Sequence, residues 1–105
     1  MLRSVEQQRA TGSREDDPRV TELRSAVARL RRQLAAHPAE FPDRVIAEDE
    51  LAALDAHAAC GDPEIPRLRR SLLLIAGAIG SVSALGRGLG EVRDAVDLFG
   101  PSPRA

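Results

Sequence analysis

The sequence predicts an all-α fold: a three-helix array, with helices 1 and 2 as an antiparallel hairpin packed on a long, kinked helix 3. Two observations carry this. Apolar residues recur at steps of three and four through most of residues 20–99, the spacing that gives a helix one buried face. Pro and Gly stand at the ends of these runs, in Asp-Pro, His-Pro and Gly-Pro pairs that start and stop helices. A length of 105 residues allows one small domain, placed at 17–100. Residues 1–16 and 101–105 are polar or Pro-rich and read as disordered tails.

Helix 1 begins at Asp17-Pro18. Asp17 is a good N-cap, and Pro18 loses nothing at the first helical position, where its missing N–H has no partner to find. Val20, Leu23, Val27, Leu30 and Leu34 follow in steps of three and four. His37-Pro38 ends the helix, because the residue before Pro is pushed out of the helical region. Asp43 is placed to cap helix 2. Its buried side is Ile46 or Ala47, then Leu51, Leu54 and Ala58, and Gly61 stops it.

Helix 3 is expected from Asp62-Pro63 to Gly100-Pro101. Its stripe runs Leu68, Leu72, Ile75, Ile79, Val82, Leu85, Leu89, Val92, Val96, Phe99. A continuous helix of that size would be about 50 Å long, against about 28 and 24 Å for helices 1 and 2. Gly86, Gly88 and Gly90 each cost up to about 1 kcal/mol relative to Ala, so a kink or break is expected near 86–90. A hairpin of the shorter helices covers only part of helix 3. The half at 85–99 therefore needs a cover: a folded-back tail segment, a second copy or another protein.

Charge is uneven. Residues 18–37 carry net +4 and residues 38–61 net −5, while 62–100 balance. A basic helix beside an acidic one suits a hairpin, with Arg32 expected near Glu48 and Asp55 near Arg69. The acidic neighbour also cancels the field of Arg24, Arg29, Arg31 and Arg32, and only two aromatics are present, so no nucleic-acid partner is expected. All 15 basic residues are Arg and none is Lys; codon usage in a GC-rich genome explains this without a functional demand. The chain is 43% hydrophobic, but 17 residues are Ala, so its core is thin and association is expected. Cys60 is the only cysteine, which excludes a disulfide scaffold and suits the cytoplasm. No signal peptide is read in residues 2–17.

The chemistry-bearing residues are few. Asp55, His57 and Cys60 lie within six residues, but a closed zinc site needs four ligands. Asp55 and His57, two apart on a helix, point away from each other, so they form no nucleophilic triad. Glu48, Asp49 and Glu50 read as a solvated outer face. Gly86, Gly88 and Gly90 lack the preceding strand and the GK[ST] of a phosphate loop. No catalytic residue, metal or cofactor is expected.

Residues 71–86, SLLLIAGAIGSVSALG, are uncharged between Arg70 and Arg87. As a helix they span about 24 Å, short of the roughly 30 Å hydrocarbon core of a bilayer. A buried core helix is the preferred reading, with a membrane-active helix as the alternative. Ala76, Gly80 and Ala84 add a small-residue ridge beside the main stripe, which suits close helix packing on a second side.

The runs HPAEFPDRVIAEDELAAL, EIPRLRRSLLLIAGAIGSVSAL and VRDAVDLFG resemble a family of short all-helical proteins from high-GC bacteria with no established activity. The resemblance covers about residues 18–100. It implies an adaptor or associated subunit in bacterial conflict systems that pair proteases, repeat proteins and nucleotide-binding switches, and it carries over no catalytic residue. The functional expectation is thus a non-catalytic, cytoplasmic protein–protein interaction or adaptor module, self-associating or binding a partner through its C-terminal helix. The expected packing surface is Leu68, Leu72, Ile75, Ala76, Ile79, Gly80, Val82 and Ala84, with Leu89, Val92, Val96 and Phe99 as a contact end.

Overall fold

The computed structural model describes residues 17–38, 41–60 and 63–100. The tails expected at 1–16 and 101–105, and the stops and starts assigned to Gly61 and Asp62, lie outside them. The described residues form four α-helices: α1 (Pro18–Ala36), α2 (Arg44–Ala59), α3 (Ile65–Ile79) and α4 (Gly86–Asp97), with a 3-10 turn at Ser83–Leu85 before α4. The all-α expectation holds, but the long third helix is two helices.

The break falls at Gly80–Val82, not at Gly86–Gly90. A Cβ on Gly80 would sit 2.4 Å from the Ala76 carbonyl oxygen, so the chain passes too close there for any other residue without adjustment. Ser81, Val82 and Ser83 are poorer helix formers than Ala or Leu. The turn is held by N–H groups of Val82 and Leu85 donating to Ile79 O and Val82 O, both at 2.9 Å. Val82 packs half-buried and Leu85 fully, so the apolar stripe crosses the turn without losing step. The three glycines expected to break the helix lie inside α4. Only Gly88 has a packing reason: a Cβ there would meet Gln33 Oε1 at 2.2 Å and Leu30 Cδ1 at 3.0 Å, where α4 crosses α1.

Each helix runs antiparallel to its neighbours. Arg24 of α1 pairs with Asp55 of α2, while Arg44 at the start of α2 reaches the end of α1. Arg69 of α3 pairs with Asp97 of α4, and Ile65 lies against Gly100. Arg29 pairs with Glu91, and Arg19 stacks over the Phe99 ring at 4.9 Å, so α1 also lies along α4. α1 therefore covers the helix that was expected to project. The order is up-down-up-down, with α1 closing on α4.

The core lies between the four helices. α1 contributes Leu23, Val27, Leu30 and Leu34; α2 contributes Ala47, Leu51, Leu54 and Ala58; α3 contributes Leu68, Leu72, Ile75 and Ile79; the turn and α4 contribute Leu85, Leu89, Val92, Ala95 and Val96. Ile46, weighed against Ala47 for the buried side of α2, is 47% exposed and Ala47 is buried.

The helix ends are tied by side chains. Asp17 Oδ1 accepts the Arg19 N–H at 2.9 Å, as its N-cap position requires. Asp43 holds the N-cap position of α2, but its side chain makes no capping hydrogen bond. Arg44 donates instead to the carbonyls of Leu34 (2.5 Å) and His37 (3.1 Å), satisfying acceptors that the last turn of α1 leaves open. Arg69 does the same at the end of α4, donating to the Gly100 carbonyl. α3 starts after Glu64 rather than at an Asp-Pro pair. The Glu64 N–H donates to His57 Nε2 at 2.9 Å, so α2 supplies the partner for an early N–H of α3.

Candidate interaction surface

The structure separates the residues that looked most like chemistry. Asp55 accepts from Arg24 Nε and Nη2 at 3.0 and 3.4 Å. His57 faces the start of α3, and the Cys60 thiol donates to the His57 carbonyl at 2.9 Å. Each is engaged with a different partner. Among the described residues no group of three or more His, Cys, Asp and Glu side chains is placed to hold a metal ion. The expected pairs Arg32–Glu48 and Asp55–Arg69 do not form. Glu48 pairs with Arg44 at 3.3 Å, Asp55 with Arg24, and Arg69 with Asp97 at 3.0 Å, because the hairpin register differs from the one assumed.

Most of the expected interaction surface serves the chain's own core. Leu68, Leu72, Ile75, Ile79, Leu89, Val92 and Val96 are buried, and Ala76, Val82 and Phe99 pack half-buried against them. Gly80 and Ala84 are exposed, on either side of the turn that splits the small-residue ridge. The cause is the reversal at Gly80–Val82, which folds α4 back along α3 and α1. Segment 71–86 is likewise no single helix, and among the described residues no helix is long and apolar enough to cross a membrane.

The large apolar side chains left in solvent are elsewhere. Val45 is 62% exposed, Ile46 47%, Leu73 72% and Leu74 42%, with Leu98 at the C-cap of α4. Of these, Leu74 faces the groove between α2 and α3, whereas Leu73 stands one helical turn from Arg69, on the flank of α3 that pairs with α4. Glu50 and Ala53 line a groove of about 560 Å³ with Pro66, Arg67, Arg70, Ser71 and Leu74. Ile46 precedes Glu50 by one helical turn on the same flank, and antiparallel packing places it toward the Leu74 end of α3. Leu73 and Leu74 lie off the stripe 68–72–75–79 that buries α3. The sequence signal for them is the unbroken run Leu72-Leu73-Leu74-Ile75, wider than one buried stripe can use.

The ion pairs frame this face. Arg24–Asp55 spans α1 and α2, Arg29–Glu91 spans α1 and α4, and Arg69–Asp97 spans α3 and α4. No such pair crosses from α2 to α3 among the described residues, although Asp49 and Glu50 stand on one helix and Arg67 and Arg70 on the other. Two further grooves lie along α1. One, of about 410 Å³, lies between α1 and α2 beside Arg24 and Arg31; the other, of about 580 Å³, lies between α1 and α4 beside Arg29 and Leu98.

No curated protein and no solved structure matches the chain. A family model does: a family of unknown function, DUF5955, matches residues 12–100. That span includes all four helices and the α2–α3 face, and the chain belongs to this family.

Proposed function

We propose that this protein is a non-catalytic interaction module that docks another protein surface on its α2–α3 face. The observation that supports the reading is the groove between α2 and α3, with exposed Leu74 in its lining and exposed Ile46 one turn before Glu50, bordered by the charges of Glu50, Arg67 and Arg70. Scattered surface leucines are ordinary in small proteins, whereas a contiguous apolar patch rimmed by charge marks a contact surface. The docking element is thus the α2–α3 pair rather than a long C-terminal helix. A cytoplasmic setting fits the lone, exposed Cys60. An adaptor role in a bacterial conflict system is the narrower form of the proposal, supported by the resemblance of the three sequence runs.

A photo-crosslinking residue at position 74, in the α2–α3 groove, compared with one at exposed position 94, in the α1–α4 groove, tests this in cells. The expected outcome is a discrete protein adduct from position 74 and none from 94. Absence of a discrete adduct from 74, or equal adducts from both, would overturn the reading.

A further inference from the structure

We infer that the occupant of the α2–α3 face is a second copy of this chain, docked about a two-fold axis running between α2 and α3 and parallel to them. The inference rests on the interaction-module reading and names its partner. It follows from charge. The α1–α2, α1–α4 and α3–α4 seams are each closed by an ion pair, and the α2–α3 seam is not. In that seam Glu50 has no ion pair, and neither do Arg67 and Arg70, among the described residues. One helix therefore presents an unpaired negative charge to the groove, and its neighbour two unpaired positive charges.

A face of this kind is its own complement. A two-fold axis along the seam lays α2 of each copy over α3 of the other without shifting either along its length. Glu50 of one copy then meets Arg70 of the other, twice. The apolar end meets the apolar end, with Ile46 over Leu74. A two-fold contact requires this reciprocity, in which each residue's partner is also partnered by it. Two helices of about 24 Å set 8–10 Å apart offer on the order of 500 Å² per copy. That is near the lower limit for a specific interface, so the dimer is weak and concentration-dependent.

Sedimentation equilibrium of the full chain from about 1 µM to about 1 mM reads this directly. The expected result is a monomer–dimer equilibrium. Arg70→Glu and Glu50→Arg each weaken it by at least about tenfold, because like charges then face each other twice. Mixing the two variants in equal amounts restores dimer, since the heterodimer recovers both opposite-charge contacts. Leu74→Ala, at an exposed position in the groove, weakens it too. Far-UV circular dichroism checks that each variant keeps its helices. A monomer at every concentration overturns the inference, as does a dimer indifferent to both charge reversals or a mixture that stays monomeric. Co-pelleting of monomer with phosphatidylserine vesicles, lost in Leu74→Ala, would overturn it in favour of a lipid surface. Crosslinks from position 74 only to a different protein would leave the interaction module standing and remove the self-association.

Discussion

Single residues carry more of the helix-end chemistry than their types suggested. Arg44 and Arg69 are surface arginines by composition, yet each closes the open carbonyls of a helix other than its own. His57, beside Cys60 in the sequence, accepts a backbone N–H from Glu64 instead of meeting a metal or a nucleophile. The glycines differ among themselves in the same way. A Cβ on Gly90 meets nothing within 4 Å, so that glycine only lowers the helical preference of α4. Gly90→Ala should raise stability by about 0.5–1 kcal/mol. Gly88→Ala should lower it by about 1–3 kcal/mol, because Leu30 and Gln33 must give way. Urea unfolding of the two variants checks the opposite signs.

At the level of elements, the clearest titrating contact is the start of α1. The Asp17 carboxylate accepts from the Arg19 side chain and backbone, and these bonds hold its carboxyl below the usual aspartate range. A pKa lowered in the folded state stabilises the fold above the unfolded value of about 3.9, and the contribution disappears as pH falls through the folded value. Asp17→Asn keeps a capping oxygen without the charge. The stability gap between wild type and this variant should therefore be widest at neutral pH and close below about pH 4. Thermal unfolding across that range measures it, and a gap that does not change with pH would refute it. The break between α3 and α4 is the other feature at this scale. Steps of three and four continue through Ile79, Val82 and Leu85, so hydrophobic periodicity alone reads one helix. It cannot register a reversal that keeps both arms on the same core.

Across the whole molecule, the core is made of leucine, isoleucine, valine and alanine from every helix, and among the described residues it buries no polar side chain. Such a thin core leaves little reserve. Leu54, fully buried, and Leu73, 72% exposed, are separated by burial rather than by type. Leu54→Ala should cost about 2–5 kcal/mol, enough to unfold much of a small domain. Leu73→Ser should stay within about 0.5 kcal/mol when measured by urea unfolding of dilute protein, where no second copy contributes. The ion pairs add little to this balance, since exposed pairs are worth about 0–1 kcal/mol each. Their value is in register: they fix which helix faces which, and by closing three seams they leave the fourth to face outward.

The sequence by itself determined the helices and their buried faces. The stripe of α1, the Asp17-Pro18 start, the His37-Pro38 stop and the inward side of α2 were all legible, because capping and periodicity act within a few residues of the chain. Only the tertiary structure decided that the third run of apolar residues folds back on itself at Gly80–Val82. That turn places Leu89, Val92 and Val96 in the core instead of on a partner-facing surface. It also decided which apolar side chains are left in solvent, Val45, Ile46, Leu73 and Leu74 among them, and placed Leu74 in the groove between α2 and α3. The reason is physical: spacing along a helix says that a face must be covered, but what covers it depends on where the other helices lie.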